Sequence, residues 1–247
     1  MSDAAHALSP NQPIEYPESD GEPLGETDIH IEATIAALTS LKHWFRDAPD
    51  VYVASDNMLY FEEGVPSACV SPDVYVVRGI EKRLRRVYKV WEEGKGPDFV
   101  LEISSRQTRY RDQGDKRAIY AALGVKEYVL FDPTEDYLRP PLQMYRLAPG
   151  GEYQRVLPSR DGSLESQVLG LRLSVYGLRI RFEDVQTGWT LLHDFELRDA
   201  VEAERQARAE AQAERDAAEA ERDEARARAS ALEEELRRLR ARLDEGR

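Results

Sequence analysis

The stretch that most constrains this chain is a pair of apolar runs separated by one amphipathic helix: GPDFVLEI at 96–103, DQGDKRAIYAALG at 112–124 and EYVLFDP at 127–133. Near-continuous runs of Val, Phe, Leu and Tyr at this length predict strands buried on both faces. Between them, Lys116, Ile119, Tyr120 and Leu123 fall on one helical face at i, i+3, i+4 and i+7, and Gly124 stands where a left-handed residue ends a helix. A strand, a crossover helix and a second strand imply a parallel pair with a right-handed connection. A further run, SPDVYVV at 71–77, adds another strand, and antiparallel elements beside it make the expected sheet mixed.

Three charges sit in this apolar setting. Asp73 borders one strand, Glu102 interrupts another, and Lys116 lies inside the apolar stripe of the helix, so it points toward the sheet. An isolated ionised carboxylate in a buried strand is costly unless a cation, a metal or a sheet edge compensates it. Two readings satisfy that requirement. In the structural one, Asp73 caps a turn after Pro72 while Glu102 and Lys116 form a buried ion pair. In the chemical one, the two carboxylates hold one or two Mg²⁺ ions, which lower the pKa of a bound water, and the lysine orients that water or neutralises a phosphate under attack. Hard oxygen ligands with no nearby Cys or His favour Mg²⁺ or Mn²⁺ over zinc.

The rest of the chain supports or leaves this centre. Residues 1–25 are rich in Pro, Glu, Asp, Ser and Gly without periodicity and read as a flexible arm whose later part, 16–21, lies against the domain. Ile31, Ile35, Leu38, Leu41, Trp44 and Phe45 mark an amphipathic helix ending before Pro49, with His30 and Glu32 near its start. Residues 51–54 and 58–61 read as a hairpin across Ser55, Asp56 and Asn57. After Gly79, Lys82, Arg83, Arg85, Arg86 and Lys89 interleave with Tyr88 and Trp91. That pattern suits a phosphate-bearing ligand and equally suits a solvated connection. Runs at 143–147 and 153–157 flank Pro149, Gly150 and Gly151 as a hairpin, and short strands up to Leu192 close a domain over 26–194. From 195 to 247 the chain is mostly Ala, Glu, Arg, Asp and Gln, ending in Leu232, Leu236, Leu239 and Leu243 at spacings of 4, 3 and 4. It predicts a long helix with a heptad seam over its last turns, suited to pairing, against the alternative of a single helix held by internal ion pairs.

The net charge of −13 argues against gripping nucleic acid through overall charge but not against a locally basic groove. One cysteine, Cys69, excludes an internal disulfide framework and suits a reducing, cytoplasmic setting, and neither a signal peptide nor a membrane span is expected.

The SPD start, the PDFVLEISS run and the DxxxKxxxYxxxGVxEY(V)xxDP run together resemble the Uma-type restriction endonuclease family of the PD-(D/E)XK nuclease superfamily, over about residues 20–199. The resemblance implies a restriction-endonuclease-like α/β fold with flanking helices and metal-dependent hydrolysis of nucleic acid, DNA first, with RNA open. The heptad seam, for its part, is the ground for expecting a homodimer with a contribution from the terminal helix. The resemblance assigns Asp73 and Glu102 to the metal together with the backbone carbonyl of Ile103. Ser104 stands where the motif's lysine is expected, and Lys116 matches a lysine displaced onto the following helix. Glu32 is the candidate for an auxiliary acid from the N-terminal helix, and Gln113, close before Lys116, could share the site. Lys82, Arg83, Arg85, Arg86 and Lys89 are the candidate nucleic-acid contacts. The alternative is a nuclease-fold scaffold with little or no activity that pairs through its C-terminal helix and binds protein or nucleic acid.

Overall fold

The structure, a computed structural model, describes residues 14–19, 26–104 and 114–245. Helix α1 (Asp28–Trp44) leads into β1 (Val51–Ala54), β2 (Leu59–Tyr60), β3 (Cys69–Val70), β4 (Val74–Arg78) and β5 (Tyr88–Lys89). A single turn, α2 (Val90–Glu93), precedes β6 (Phe99–Ile103), α3 (Asp115–Ala122) and β7 (Glu127–Phe131). Then follow β8 (Leu142–Leu147), β9 (Tyr153–Arg155), β10 (Leu164–Ser166), β11 (Leu171–Tyr176), β12 (Arg179–Asp184), β13 (Thr190–Leu191) and α4 (Asp194–Glu245).

The central sheet is mixed, with strand order β1-β4-β6-β7-β8-β9. Its one parallel pair is β6 with β7, Phe99 opposite Glu127 and Ile103 opposite Phe131, on either side of the crossover that contains α3. Gly124 ends α3 at φ 72°, a conformation that a residue with a Cβ adopts at a cost. Because strand side chains alternate, Val74, Val76, Phe99, Leu101, Val129 and Phe131 face α1. Tyr75, Val77, Val100, Tyr128 and Leu130 face the other way, toward Tyr120 of α3. Both faces are covered, which is why these strands read as continuous apolar runs.

A second, antiparallel sheet of β10 to β13 shares the α1-side core through Leu164, Leu171, Leu173, Ile180 and Phe182. Helix α1 therefore packs through small residues. Ala33, Thr34, Ala36, Ala37 and Ser40 are buried with Leu41, whereas Ile31 and Ile35 of the expected stripe are 44% and 52% exposed. The expected hairpin of β1 with β2 does not form. β1 pairs with β4, while β2 leaves the sheet to pair with β3 and β5. The chain turns at Asp56, which has φ 52° and donates its N–H to Pro72 O at 3.0 Å, so the connection closes against the approach to β4 rather than on itself. The arm does lie on this small sheet: Tyr16 packs at 5.1 Å from Tyr60 and 5.2 Å from Trp91, and its hydroxyl accepts from Gly64 N at 2.7 Å.

The chain divides into two compact units, Met1–His193 and Asp194–Arg247. The second is a helix of 52 residues, about 78 Å long at 1.5 Å per residue. Arg208, Arg228 and Arg238 pair along it with Glu204, Glu224 and Glu234, at 2.5 to 2.6 Å. Among the described residues no helix is long and apolar enough to cross a membrane.

Candidate functional site

Sheet register brings the two acids together. Val74 lies opposite Leu101 in the antiparallel β4–β6 pair, and one further step along that register sets Asp73 opposite Glu102. Glu102 projects from the face α3 covers, so the helix's inward residues meet it, while Asp73, just before β4, is met by His30 of α1. Lys116 Nζ donates to Glu102 Oε2 at 2.8 Å, and the Tyr120 hydroxyl, one turn later, donates to Oε1 at 2.5 Å. Glu102 is only 1% exposed. A buried carboxylate with both oxygens bonded, one of them to a cation, meets the condition under which an ionised acid survives in a core. Burial and then the charge of Glu102 push the Tyr120 hydroxyl well above the ordinary phenol range, so it remains a donor.

Asp73 is held differently. Its Oδ2 accepts from the Ile103 N–H at 2.6 Å and lies 3.2 Å from His30 Nε2. The other oxygen, Oδ1, accepts no hydrogen bond among the described residues. The backbone at Ile103 thus connects the two acids: Glu102 precedes it, and its own N–H fixes Asp73. Burial works against a charge on His30, but the hydrogen bond and charge of Asp73, helped by Glu26 and Asp56, outweigh it and raise the imidazole to about 9. Glu26 lies 3.5 Å from His30 Nδ1. Asp56, on the turn before β2, is pushed up by burial and then by the charge of Asp73.

Three residues of the expected set, Asp73, Glu102 and Lys116, are therefore brought to one place, with the Ile103 backbone beside them. Glu32 is not. It points outward from α1 and pairs with Arg179 at 2.5 Å, because the residue of α1 that faces Asp73 is His30, two positions earlier. Gln113 lies outside the described residues. The basic segment is largely engaged within the domain. Lys82 Nζ donates to Phe45 O and Arg46 O at 2.7 and 2.9 Å, capping the end of α1. Arg83 and Arg85 both grip Glu93, Arg86 pairs with Glu18, and Lys89 pairs with Glu92 at 2.9 Å. Sequence reasoning passed over the roles of His30 and Tyr120. Tyr120 carried a signal, since it stands one turn from Lys116 on the same face; His30 carried none beyond its place at the start of α1.

Among the described residues no three His, Cys, Asp or Glu side chains group as a metal-binding cluster. The donor chemistry of the Asp73 and Glu102 carboxylates fits Mg²⁺ or Mn²⁺. The donors are all hard oxygens, and Oδ1 of Asp73 is free of hydrogen bonds among the described residues, on a side chain still 12% exposed.

A family model described as Uma2, putative restriction endonuclease, matches residues 3–176. A solved structure of a putative nuclease belonging to DUF820 from Anabaena variabilis ATCC 29413 is similar at 14% identity, covering 62% of this chain and 81% of that one with a TM-score of 0.42. No curated protein matches the sequence.

Proposed function

The chain belongs to the Uma2 family of putative restriction endonucleases, and from that membership we propose that it hydrolyses phosphodiester bonds of nucleic acid, DNA foremost, with Mg²⁺ or Mn²⁺ as cofactor. The observation that carries the reading is the convergence of Asp73, just before β4, Glu102 of β6 and Lys116 of α3 around the Ile103 backbone. Asp73, Glu102 and the Ile103 carbonyl would hold the metal. Bound there, it would supply an activated water and charge stabilisation for the phosphate. The chain's own groups do the rest. Ile103 N–H and His30 fix Asp73 so that Oδ1 is left free, and Tyr120 holds Glu102 in one orientation. Lys116, the one cation in the set besides His30, neutralises negative charge developing on the attacked phosphate or orients the attacking water.

The same reading takes the protein as a homodimer joined through the leucine seam of α4. A scaffold without activity is the second reading. What favours it is that Lys116 and Glu102 already satisfy each other as an ion pair and that most of the basic segment is engaged internally. Incubation of the full chain with supercoiled, linear and single-stranded DNA and with RNA, in Mg²⁺, Mn²⁺ or EDTA, separates the two. Cleavage that requires the divalent ion supports the nuclease; intact substrate under every condition supports the scaffold.

A further inference from the structure

A second feature lies beside Glu102 on the same sheet face. Register carries Glu102 of β6 to Leu130 of β7 and on to Gln143 of β8, so these residues form one row across the sheet. At the usual strand spacing the row ends about 10 Å from Glu102. Over its far end opens a cavity of about 210 Å³, lined by Arg117, Leu130, Tyr137, Arg139, Gln143 and Tyr145 among others. Arg117 follows Lys116 on α3. While Lys116 turns to Glu102, Arg117 reaches the other flank, its guanidinium 4.2 Å from the Tyr145 ring centre and one nitrogen donating to Tyr153 O at 3.1 Å. Arg139 is exposed and donates to the Glu135 and Leu138 carbonyls. Gln143 has both ends of its amide engaged, donating to Pro140 O and accepting from Tyr145.

Among the described residues neither arginine meets a carboxylate, like Arg78 and unlike Arg83, Arg85, Arg86, Arg146 and Arg172; what sets this pair apart is that both line one cavity. The two guanidinium groups, held by carbonyls and an aromatic ring, face one polar cavity in a chain of net −13. Arginine's planar fork matches phosphate oxygens, and stacking on a ring holds the fork ready.

We propose that this cavity is a phosphate subsite that takes a backbone phosphate of the nucleic-acid strand flanking the bond cleaved at Glu102. The assignment rests on the nuclease reading and adds to it a direction. The strand runs from the acids across β7 toward β8, over α3 and the 137–145 segment, rather than along the Lys82–Lys89 segment whose cations are engaged.

The test is equilibrium binding of fluorescein-labelled single-stranded and duplex DNA to the full chain in EDTA, where no cleavage occurs, across a series of salt concentrations. Arg139→Gln is the principal variant because its side chain is exposed and its loss does not threaten folding. Arg117→Gln is the second, with its thermal unfolding recorded, and Arg160→Gln, an exposed arginine elsewhere, controls for net charge. Losing one phosphate contact should lower the slope of log affinity against log salt by about 0.7 to 0.9 in Arg139→Gln and leave Arg160→Gln like the parent. If cleavage is observed, Arg139→Gln should raise KM with kcat retained. DNA binding by the parent with the same slope in Arg139→Gln and Arg117→Gln overturns the subsite and leaves the nuclease reading standing. Failure of the parent to bind any DNA overturns both. Calorimetric titration with inorganic phosphate supplies the remaining arm: phosphate uptake that depends on Arg139 while the DNA slope does not would make the cavity a free-anion site and overturn the proposal.

Discussion

His30 is the residue whose behaviour departs most from what its neighbours in the sequence suggest. Glu32 has the chemistry a metal site uses, yet it faces solvent, and the imidazole two positions earlier takes the place against Asp73. With its folded-state pKa raised from 6.5 to about 9, His30 contributes stability that is complete below about 6.5 and disappears as pH rises through 9. After allowance for solvent screening this is about 1–2 kcal/mol. In EDTA, chemical denaturation from pH 6 to 10 should therefore show the parent losing that amount relative to His30→Gln. Parallel curves for the two would refute the buried charged pair. Asp73, Glu102 and Lys116 were legible in the sequence because each is a charge inside an otherwise apolar pattern, and such charges are rare without a reason. His30 was not, because helical periodicity identifies faces only where residue size and polarity differ clearly, and a His among Asp, Ile and Glu at a helix start contrasts with nothing. Arg117 lies outside the stripe of Lys116, Ile119, Tyr120 and Leu123, yet it is half-buried through stacking on a tyrosine that only the tertiary fold supplies.

At the scale of elements, β6, α3 and β7 were readable because both strands are buried on both faces and Gly124 closes the helix. Helix α1 was readable in extent but not in orientation. Packing within a core that also includes the second sheet selects the alanine side, and bulky Ile31 and Ile35 are left outside. Close helix–sheet approach is thus built on small volumes, and enlarging them should strain the core. Ala37→Leu, at a position 1% exposed, is expected to cost about 1–3 kcal/mol, while Ile35→Ala at 52% exposure should cost well under that. Urea unfolding midpoints check the order, and a larger loss at Ile35 would contradict this packing. The β1–β2 connection shows why local turn chemistry was insufficient. Ser55, Asp56 and Asn57 do turn the chain, but β1 finds a better neighbour in β4, a pairing of distant residues that no short window displays.

At the scale of the whole molecule, two units with different physics share one chain: a sheet-centred domain with its charges paired around buried acids, and a solvated helix whose Leu232 and Leu236 are 61% and 54% exposed. Exposed leucines at heptad spacing are the side that a second copy would cover. Sedimentation of the full chain should give a dimer mass that falls to a monomer in a chain ending at His193, with unchanged domain unfolding; monomers in both would rule out pairing through α4. The central claim concerns the other unit: Asp73, Glu102 and Lys116 act together as one catalytic set. Single-turnover cleavage of DNA in Mn²⁺ by the parent, Asp73→Asn, Lys116→Met and the double variant tests it most directly. Residues acting as a unit lose activity non-additively, so each single variant should fall by about 100-fold or more and the double variant little further. Cleavage that persists in EDTA, or that survives in either single variant at the parent's rate, would contradict the account.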